Sequence, residues 1–295
     1  MTLSGSWGII ELIMVLGVHI SGAGKASLAL VAAHDLGCNT MQIFSRNPRQ
    51  WRRDKPLAPE EIHAFRANKQ KFKISPVFVH IPYLINLASP EPRLYHASIE
   101  AYIEDIQDAQ ELGVDFIVTH MGSHKETSEE EGLKRLVDAL NTIIEKTAKC
   151  RVGILLENTA GAGSWLGYTF AHQRKVFQGV KRKERLGLCF DTAHAYVAGN
   201  NIATKEGFEK VIAEIDTQVG LEHLHLIHLN DALGKLGSHH DRHENIGKGA
   251  IGMEGMRRII NHPAFADKAF VLETPTRKDG DDLKNLKTVR NLHKD

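Results

Sequence analysis

The stretch LGSHHDRHENIG (236–247) packs His239, His240, Asp241, His243 and Glu244 between two glycines. A solvated loop would account for that composition, and so would a source of metal ligands. Asp241 and His243 are two residues apart, so on an extended segment their side chains face the same way. His239 shares that parity with Asp241, and parity alone does not choose between the two histidines. In DTAH, Asp191 and His194 stand at i and i+3, the spacing that puts both on one side of a helical turn.

Further candidates terminate short apolar runs: His80 ends PVFVH, His120 ends DFIVTH, Glu157 ends VGILLE, Asp191 ends GLCFD and Glu273 ends AFVLE, while His228 stands next to the end of LHLIHL. A single histidine at a strand end is more often a hydrogen-bonded structural residue than a ligand. Buried carboxylates are different, because desolvating one costs several kcal/mol unless a cation or a donor meets it. Converging carboxylates also repel one another and shift their pKa values upward until cations neutralise them. With His194, Asp241 and His243 the set becomes five histidines and four carboxylates. Nitrogen and oxygen ligands without cysteine suit Zn²⁺, or Mn²⁺ in part, in a catalytic site. The set is too large for one ion and suits three that share carboxylates. Three divalent ions against four carboxylates leave a net charge of about +2 in the cleft, which favours a phosphate.

These residues converge only if their strands do. Eight β-branched or apolar runs recur: VLGVHI (15–20), NTMQIF (39–44), PVFVH (76–80), DFIVTH (115–120), VGILLE (152–157), GLCFD (187–191), LHLIHL (224–229) and AFVLE (269–273). Segments of helical spacing separate them, such as YHASIEAYIEDIQDAQELG, closing on Gly113, and EEEGLKRLVDALNTIIEKTA. Strand then helix, repeated eight times, predicts an α/β fold of the (β/α)₈ TIM-barrel type, whose C-terminal strand ends meet on one face. An open doubly wound sheet is the structural competitor, but it rarely needs eight evenly spaced units.

The 295 residues, 42% hydrophobic and 25% charged, suffice for one large core, and no linker-like segment divides them. A formal charge of +1 argues neither for nor against a polyanionic partner. Cys38, Cys150 and Cys189 are far apart and flanked by apolar residues, so they read as small buried hydrophobes in a reducing compartment. WGIIELIMVLGVHI carries Glu11, lacks a basic start and is too short to span a bilayer. Met14 reads as the natural start, with residues 1–13 an extension and residues 14–295 the barrel domain. A cytoplasmic location and no membrane association follow from the missing export signal. SGAGKAS fails as a phosphate loop, with His19 where glycine is needed and Ala26 where Ser or Thr is needed, and GxGxxG lacks its last glycine at Ser27. There is no GxSxG elbow.

From Leu16 to about Lys287 the chain resembles the endonuclease IV family of apurinic/apyrimidinic endonucleases. The resemblance is carried by GVHISGAG, FSRNPRQW, VHIPYLINL, THMGSHK, LLENTAG with GSWLGY, DTAHAYVAG, HLNDA followed by DRHENIGKG, and VLETP. It implies three zinc ions. His80, His120 and Glu157 would hold the first; Glu157, Asp191, His228 and Glu273 the second; His194, Asp241 and His243 the third. His243 is then the ligand of the opening stretch, and His239 and His240 are loop residues. The implied activity is hydrolysis of double-stranded DNA 5′ to an abasic site, leaving a 3′-hydroxyl and a 5′-deoxyribose phosphate, with 3′-end cleaning as a second capacity. Glu157, shared between ions, and Glu273, which orients or deprotonates the attacking water, carry catalytic roles. Asn47, Arg49, Tyr83 and Leu84 fall where the family contacts DNA; packing of a short loop is the plain alternative for Tyr83 and Leu84. Pro48 and Pro82 depart from familiar members and stiffen both loops. The protein should act as a monomer. A sugar isomerase or epimerase on the same kind of barrel is the main alternative, and a non-catalytic damage-binding protein a second.

Overall fold

The structure, a computed structural model, describes residues 14–21, 25–47, 50–51 and 56–293. The expected extension over residues 1–13, Pro48, Arg49 and the centre of SGAGKAS lie outside the described residues. The elements run β1 (Val15–Val18), α1 (Ala26–Asp35), β2 (Met41–Phe44), α2 (Pro59–Phe72), β3 (Val77–His80), α3 (Pro92–Leu112), β4 (Phe116–His120), α4 (Glu129–Lys146) and β5 (Gly153–Glu157). They continue with α5 (Phe170–Gly179), β6 (Leu186–Asp191), α6 (Thr192–Val197), α7 (Lys205–Gln218), β7 (Leu224–His228), β8 (Asp231–Ala232), β9 (His243–Glu244), α8 (Gly252–Ile260), β10 (Ala269–Leu272) and α9 (Asp281–His293).

Eight parallel strands pair in the order β1-β10-β7-β6-β5-β4-β3-β2. A parallel bridge between His19 and Gln42 joins the two ends, so the sheet is a TIM barrel, as the eight apolar runs predict. The Asn39 side chain ties the same seam lower down, accepting from the Leu16 N–H at 2.7 Å and donating to the Met14 carbonyl at 3.0 Å. Gly17 is required at this seam, since a Cβ there would come within 1.9 Å of the Thr40 carbonyl oxygen.

The helices begin and end where local chemistry dictates. Ser128 and Glu131 form a reciprocal capping box on α4, whose first turn carries Glu129, Glu130 and Glu131 against the positive helix end. Pro92 opens α3, and Gly113 closes it at φ 74°, a left-handed turn that suits glycine.

Strand alternation decides which side chains enter the barrel. Phe78, Val118, Leu155, Cys189, Leu226 and Val271 form an apolar floor inside it, each worth about 1.5–3 kcal/mol of burial for the larger side chains. Their strand neighbours Val79, Ile117, Leu156, Phe190, Ile227 and Leu272 pack outward against the helices. Two residues beyond each floor residue stand His80, His120, Glu157, Asp191, His228 and Glu273. Period-two alternation therefore points all six into the same mouth.

On β7 this parity depends on an irregularity. Leu188 pairs with Leu224 but Cys189 pairs with Leu226, so His225 is an extra residue. The His225 ring stacks inside on Phe116, with centroids 5.0 Å apart, while Leu226 also faces the interior floor. Without this bulge, His228 would point outward.

Candidate metal centre

Glu157, with a side chain 1% exposed, is the hub. One carboxylate oxygen lies 3.1 Å from His80 Nε2 and 3.1 Å from His120 Nε2. The other lies 2.9 Å from His228 Nδ1, which also faces Glu273 at 3.4 Å and Asp191 at 3.9 Å. Asp191 caps α6 by accepting from the His194 N–H at 2.7 Å, and that short helix turns His194 back over the mouth. His194 Nε2 meets Asp241 at 3.1 Å, and His243 Nε2 lies 3.7 Å from Asp191 and 3.6 Å from Asp241. All nine residues expected to converge from the sequence are thus gathered at one end of the barrel.

The opening stretch is partly ordered into a hairpin that its composition does not announce. β9 pairs antiparallel with β8, matching Asp231 to Glu244 and Ala232 to His243. The buried Asp231 carboxylate anchors it, accepting from the N–H groups of Ala232 at 2.8 Å, Gly249 at 2.9 Å and Ile251 at 2.9 Å. Burial pushes the Asp231 pKa up against the downward pull of these donors. His239 takes a left-handed conformation at φ 55° and turns Nδ1 to the Ala160 carbonyl at 2.7 Å. It shares parity with Asp241 but not direction.

Most of the inward imidazoles are oriented through their second nitrogen. His80 Nδ1 donates to the Ile81 carbonyl at 2.7 Å, His194 Nδ1 to the Asn158 carbonyl at 2.9 Å, and His243 Nδ1 to the Glu273 carbonyl at 3.1 Å. His228 Nε2 donates to Gln42 Oε1 at 2.8 Å, and the Gln42 amide in turn donates to Glu273 at 2.6 Å and to His19 Nδ1 at 2.9 Å. Asn230 donates to Asp191 at 2.7 Å and accepts from the Glu273 N–H at 2.8 Å. Such outer contacts fix ring orientation and ligand basicity. Gln42, Asn158, Asn230 and His19 are absent from the sequence-based site; His19 stands next to the end of VLGVHI as His228 does in LHLIHL, and Asn158 adjoins Glu157 and Asn230 adjoins Leu229, whereas nothing in its type or spacing marks Gln42.

The arrangement fits divalent cations. Among the described residues four overlapping donor sets each have ligand atoms within 4.8 Å of one another: His80, His120 and Glu157; Glu157, Asp191, His228 and Glu273; Glu157, Cys189 and His228; and, the last, Asp191, His194 and His243. Asp241 reaches the last set from its open side. His243 Nε2 is buried and without a hydrogen-bond partner while aimed between two carboxylates, as a ligand nitrogen would be. Burial pulls His194 down, yet Asp191 and Asp241 hold it well above the usual imidazole range. Burial likewise opposes charge on His228, but Cys189, Glu273 and Glu157 raise it well above that range. Burial raises Glu157, but His228 and His120 draw it well below ordinary carboxylates. This concentrated demand for positive charge is what cations meet. Cys189, buried beside Glu157 and His228, has its thiol pushed up to about 12 by burial and is a poor ligand in comparison.

Comparison with known proteins agrees with this geometry. Residues 30–292 match the family model of xylose isomerase-like TIM barrels. A protein of Chloroflexus aurantiacus named probable endonuclease 4 is 42% identical over 277 residues, covering 94% of this chain and 97% of its own. The chain belongs to the endonuclease IV family. It is therefore an enzyme, a nuclease of the apurinic/apyrimidinic type that serves DNA repair. The crystal structure of endonuclease IV from Thermus thermophilus superposes with a TM-score of 0.83 at 33% identity, covering 95% of this chain and 98% of that one. A D-tagatose 3-epimerase-like protein superposes with a TM-score of 0.71 at 20% identity over 94% of this chain and 97% of that one, a likeness of fold alone.

In this family member the centre opens into a cleft of about 610 Å³, rimmed by Tyr83, Leu233, Arg242, Pro275 and Arg277. Tyr83 is 59% exposed and Leu84 half-buried, so Tyr83 is not a core residue. Asn47 is exposed on the loop after β2, whose neighbour Arg46 is buried and tied to Asp105 at 2.8 Å and to the Ala101 carbonyl at 3.0 Å. That loop therefore springs from a fixed base on the active face.

Proposed function

We propose that this chain cleaves double-stranded DNA 5′ to abasic sites, leaving a 3′-hydroxyl and a 5′-deoxyribose phosphate, and that it holds three zinc ions, replaceable in part by Mn²⁺. The observation that carries this reading is the two-sided engagement of Glu157: His80 and His120 on one oxygen and His228 on the other. That is the posture of a carboxylate shared between two cations. His80, His120 and Glu157 hold the first ion, Glu157, Asp191, His228 and Glu273 the second, and His194, Asp241 and His243 the third. Bound zinc supplies water of lowered pKa and stabilises charge developing on phosphate oxygens.

The remaining work belongs to the chain's own groups. Glu273 stands at the mouth, steadied by Gln42 and by the Asn230 side-chain Oδ1, which accepts from its backbone N–H, and there it orients the attacking water or takes its proton. Tyr83 and Leu84 fill the space of the missing base, and Asn47 and Arg49 contact the DNA at the lesion; an apolar wedge offsets the few kcal/mol of unstacking. The same cleft admits damaged 3′ ends. Among the described residues no helix is long and apolar enough to cross a membrane. We take the protein to work as a cytoplasmic monomer.

The test is elemental analysis beside a nicking assay on a duplex with one abasic site, before and after prolonged chelation. About three zincs per chain and chelator-sensitive cleavage 5′ to the lesion are expected. One or two metals with no nicking would turn the reading towards a sugar isomerase or epimerase.

A further inference from the structure

His120 differs from the other imidazoles that converge on the carboxylates. His80, His194, His228 and His243 each engage a carbonyl or amide oxygen through the second ring nitrogen. Among the described residues His120 has no such bond. Four rings surround it: the converging imidazoles His80 and His194, edge to face at 5.2 and 5.7 Å, Tyr83, tilted at 6.4 Å, and Trp165, which meets it edge to face with centroids 5.7 Å apart and planes at 88° and is the one of the four that is neither a candidate ligand nor mostly exposed. A notch of about 10 Å³, too small for more than one water, separates Pro82 and Tyr83 from Trp165.

Trp165 is itself held by the backbone that carries His120. The loop after β4 and the loop after β5 are stapled together. Ser123 and Trp165 form an antiparallel bridge, the Leu166 N–H donates to the Gly122 carbonyl at 2.8 Å, and the Ser123 and Ser164 hydroxyls meet at 2.7 Å. Asn86 locks this pair to the loop after β3 from below, donating to the Ser123 carbonyl and accepting its N–H, both at 2.9 Å. Gly122 leaves room for that amide, because a Cβ there would lie 2.5 Å from Asn86 Oδ1. The indole is therefore a fixed wall two short bonded links from the strand end it faces.

We infer that Trp165 is a positioning residue: its edge-on indole sets the plane of His120 by packing, in place of the hydrogen bond that sets the other imidazoles, and thereby sets the affinity of the ion shared by His80, His120 and Glu157. The inference rests on the metal assignment proposed above. An edge-to-face aromatic pair has a geometric preference strong enough to hold a ring, and loss of a group that orients a metal-bound imidazole lowers metal affinity about 10- to 100-fold. Phenylalanine offers a ring edge from the same backbone; alanine does not.

The experiment loads the wild-type chain, Trp165→Phe, Trp165→Ala and His120→Ala with Zn²⁺, counts metal per chain, and follows transfer of zinc to a chromophoric chelator over time. His120→Ala identifies which zinc equivalent depends on that ligand. In Trp165→Ala that equivalent should leave about 10-fold faster than in the wild type, with the others unchanged, and Trp165→Phe should restore most of the retention. Unchanged release in Trp165→Ala overturns the inference, even if its thermal midpoint falls, because that would be loop packing alone. Equal acceleration in Trp165→Phe also overturns it. A wild-type chain with no zinc equivalent dependent on His120 sinks the metal assignment itself, and the inference falls with it.

Discussion

The centre has two halves of different construction. His80, His120, Glu157 and His228 stand on strands of the barrel, two residues above an apolar floor. Asp241 and His243 arrive on a long excursion between β7 and α8, and the Asp241 side chain is 49% exposed where Glu157 is 1% exposed. The strand half inherits its precision from the sheet, because a residue at a given register has one direction and about one position. The loop half has no such frame and acquires one from a two-residue hairpin and one buried carboxylate, Asp231. Ligands on a strand need alternation and burial; ligands on a loop need a separate anchor, and that anchor need not look like part of the site.

The largest effect should come from the hub that both halves share. Glu157→Gln removes the carboxylate that faces His80, His120 and His228, and cleavage of an abasic-site duplex should fall on the order of a thousandfold with metal content reduced. Near-normal turnover at full metal content would mean that the strand half is scaffold only. Asp231→Ala leaves several buried N–H groups without an acceptor, at a cost of about 1–3 kcal/mol. It should lower cleavage about 10- to 100-fold by loosening His243, while zinc retained through His80 and His120 stays bound. Loss of every zinc equivalent in that variant would show that the halves are not separable.

Replacing both Tyr83 and Leu84 by glycine should weaken binding to an abasic duplex about 10-fold, in proportion to the lost wedge, with the zinc count unchanged. Binding equal to wild type would make both residues loop packing. The smallest change is expected of His239→Ala, in the same stretch as Asp241 and His243. Its ring faces the Ala160 carbonyl, so cleavage should stay within about twofold of wild type. A loss as large as that of His243→Ala would reverse the assignment of ligands in the loop.

Much of the barrel is legible because a parallel strand buried on both faces writes a short apolar run, and the eight runs fall on the observed strands within about two residues. The site is legible for a related reason: a charged side chain immediately after such a run has few places to go except the open mouth. The His225 bulge is not legible, since LHLIHL carries no mark of where register slips, yet it alone turns His228 inward. Nor is the hairpin, whose strands are two residues long and are paired by Asp231 contacts reaching as far as Ile251. Gln42 is a further case. An amide on β2 becomes the link between His228, Glu273 and His19 only because β2 closes the barrel against β1.

By itself, the order of residues determined the period of each strand, the caps of helices such as α3 and α4, and the types of side chain delivered to the strand ends, because these depend on neighbours a few positions away. Direction and partnership were decided only by the tertiary structure. Which histidine of 236–247 turns to the carboxylates, which way His228 points, and what holds the ring of His120 all depend on groups far apart in the chain. Closing the barrel brings those groups within hydrogen-bonding or van der Waals reach, where interactions fall off within a few ångströms.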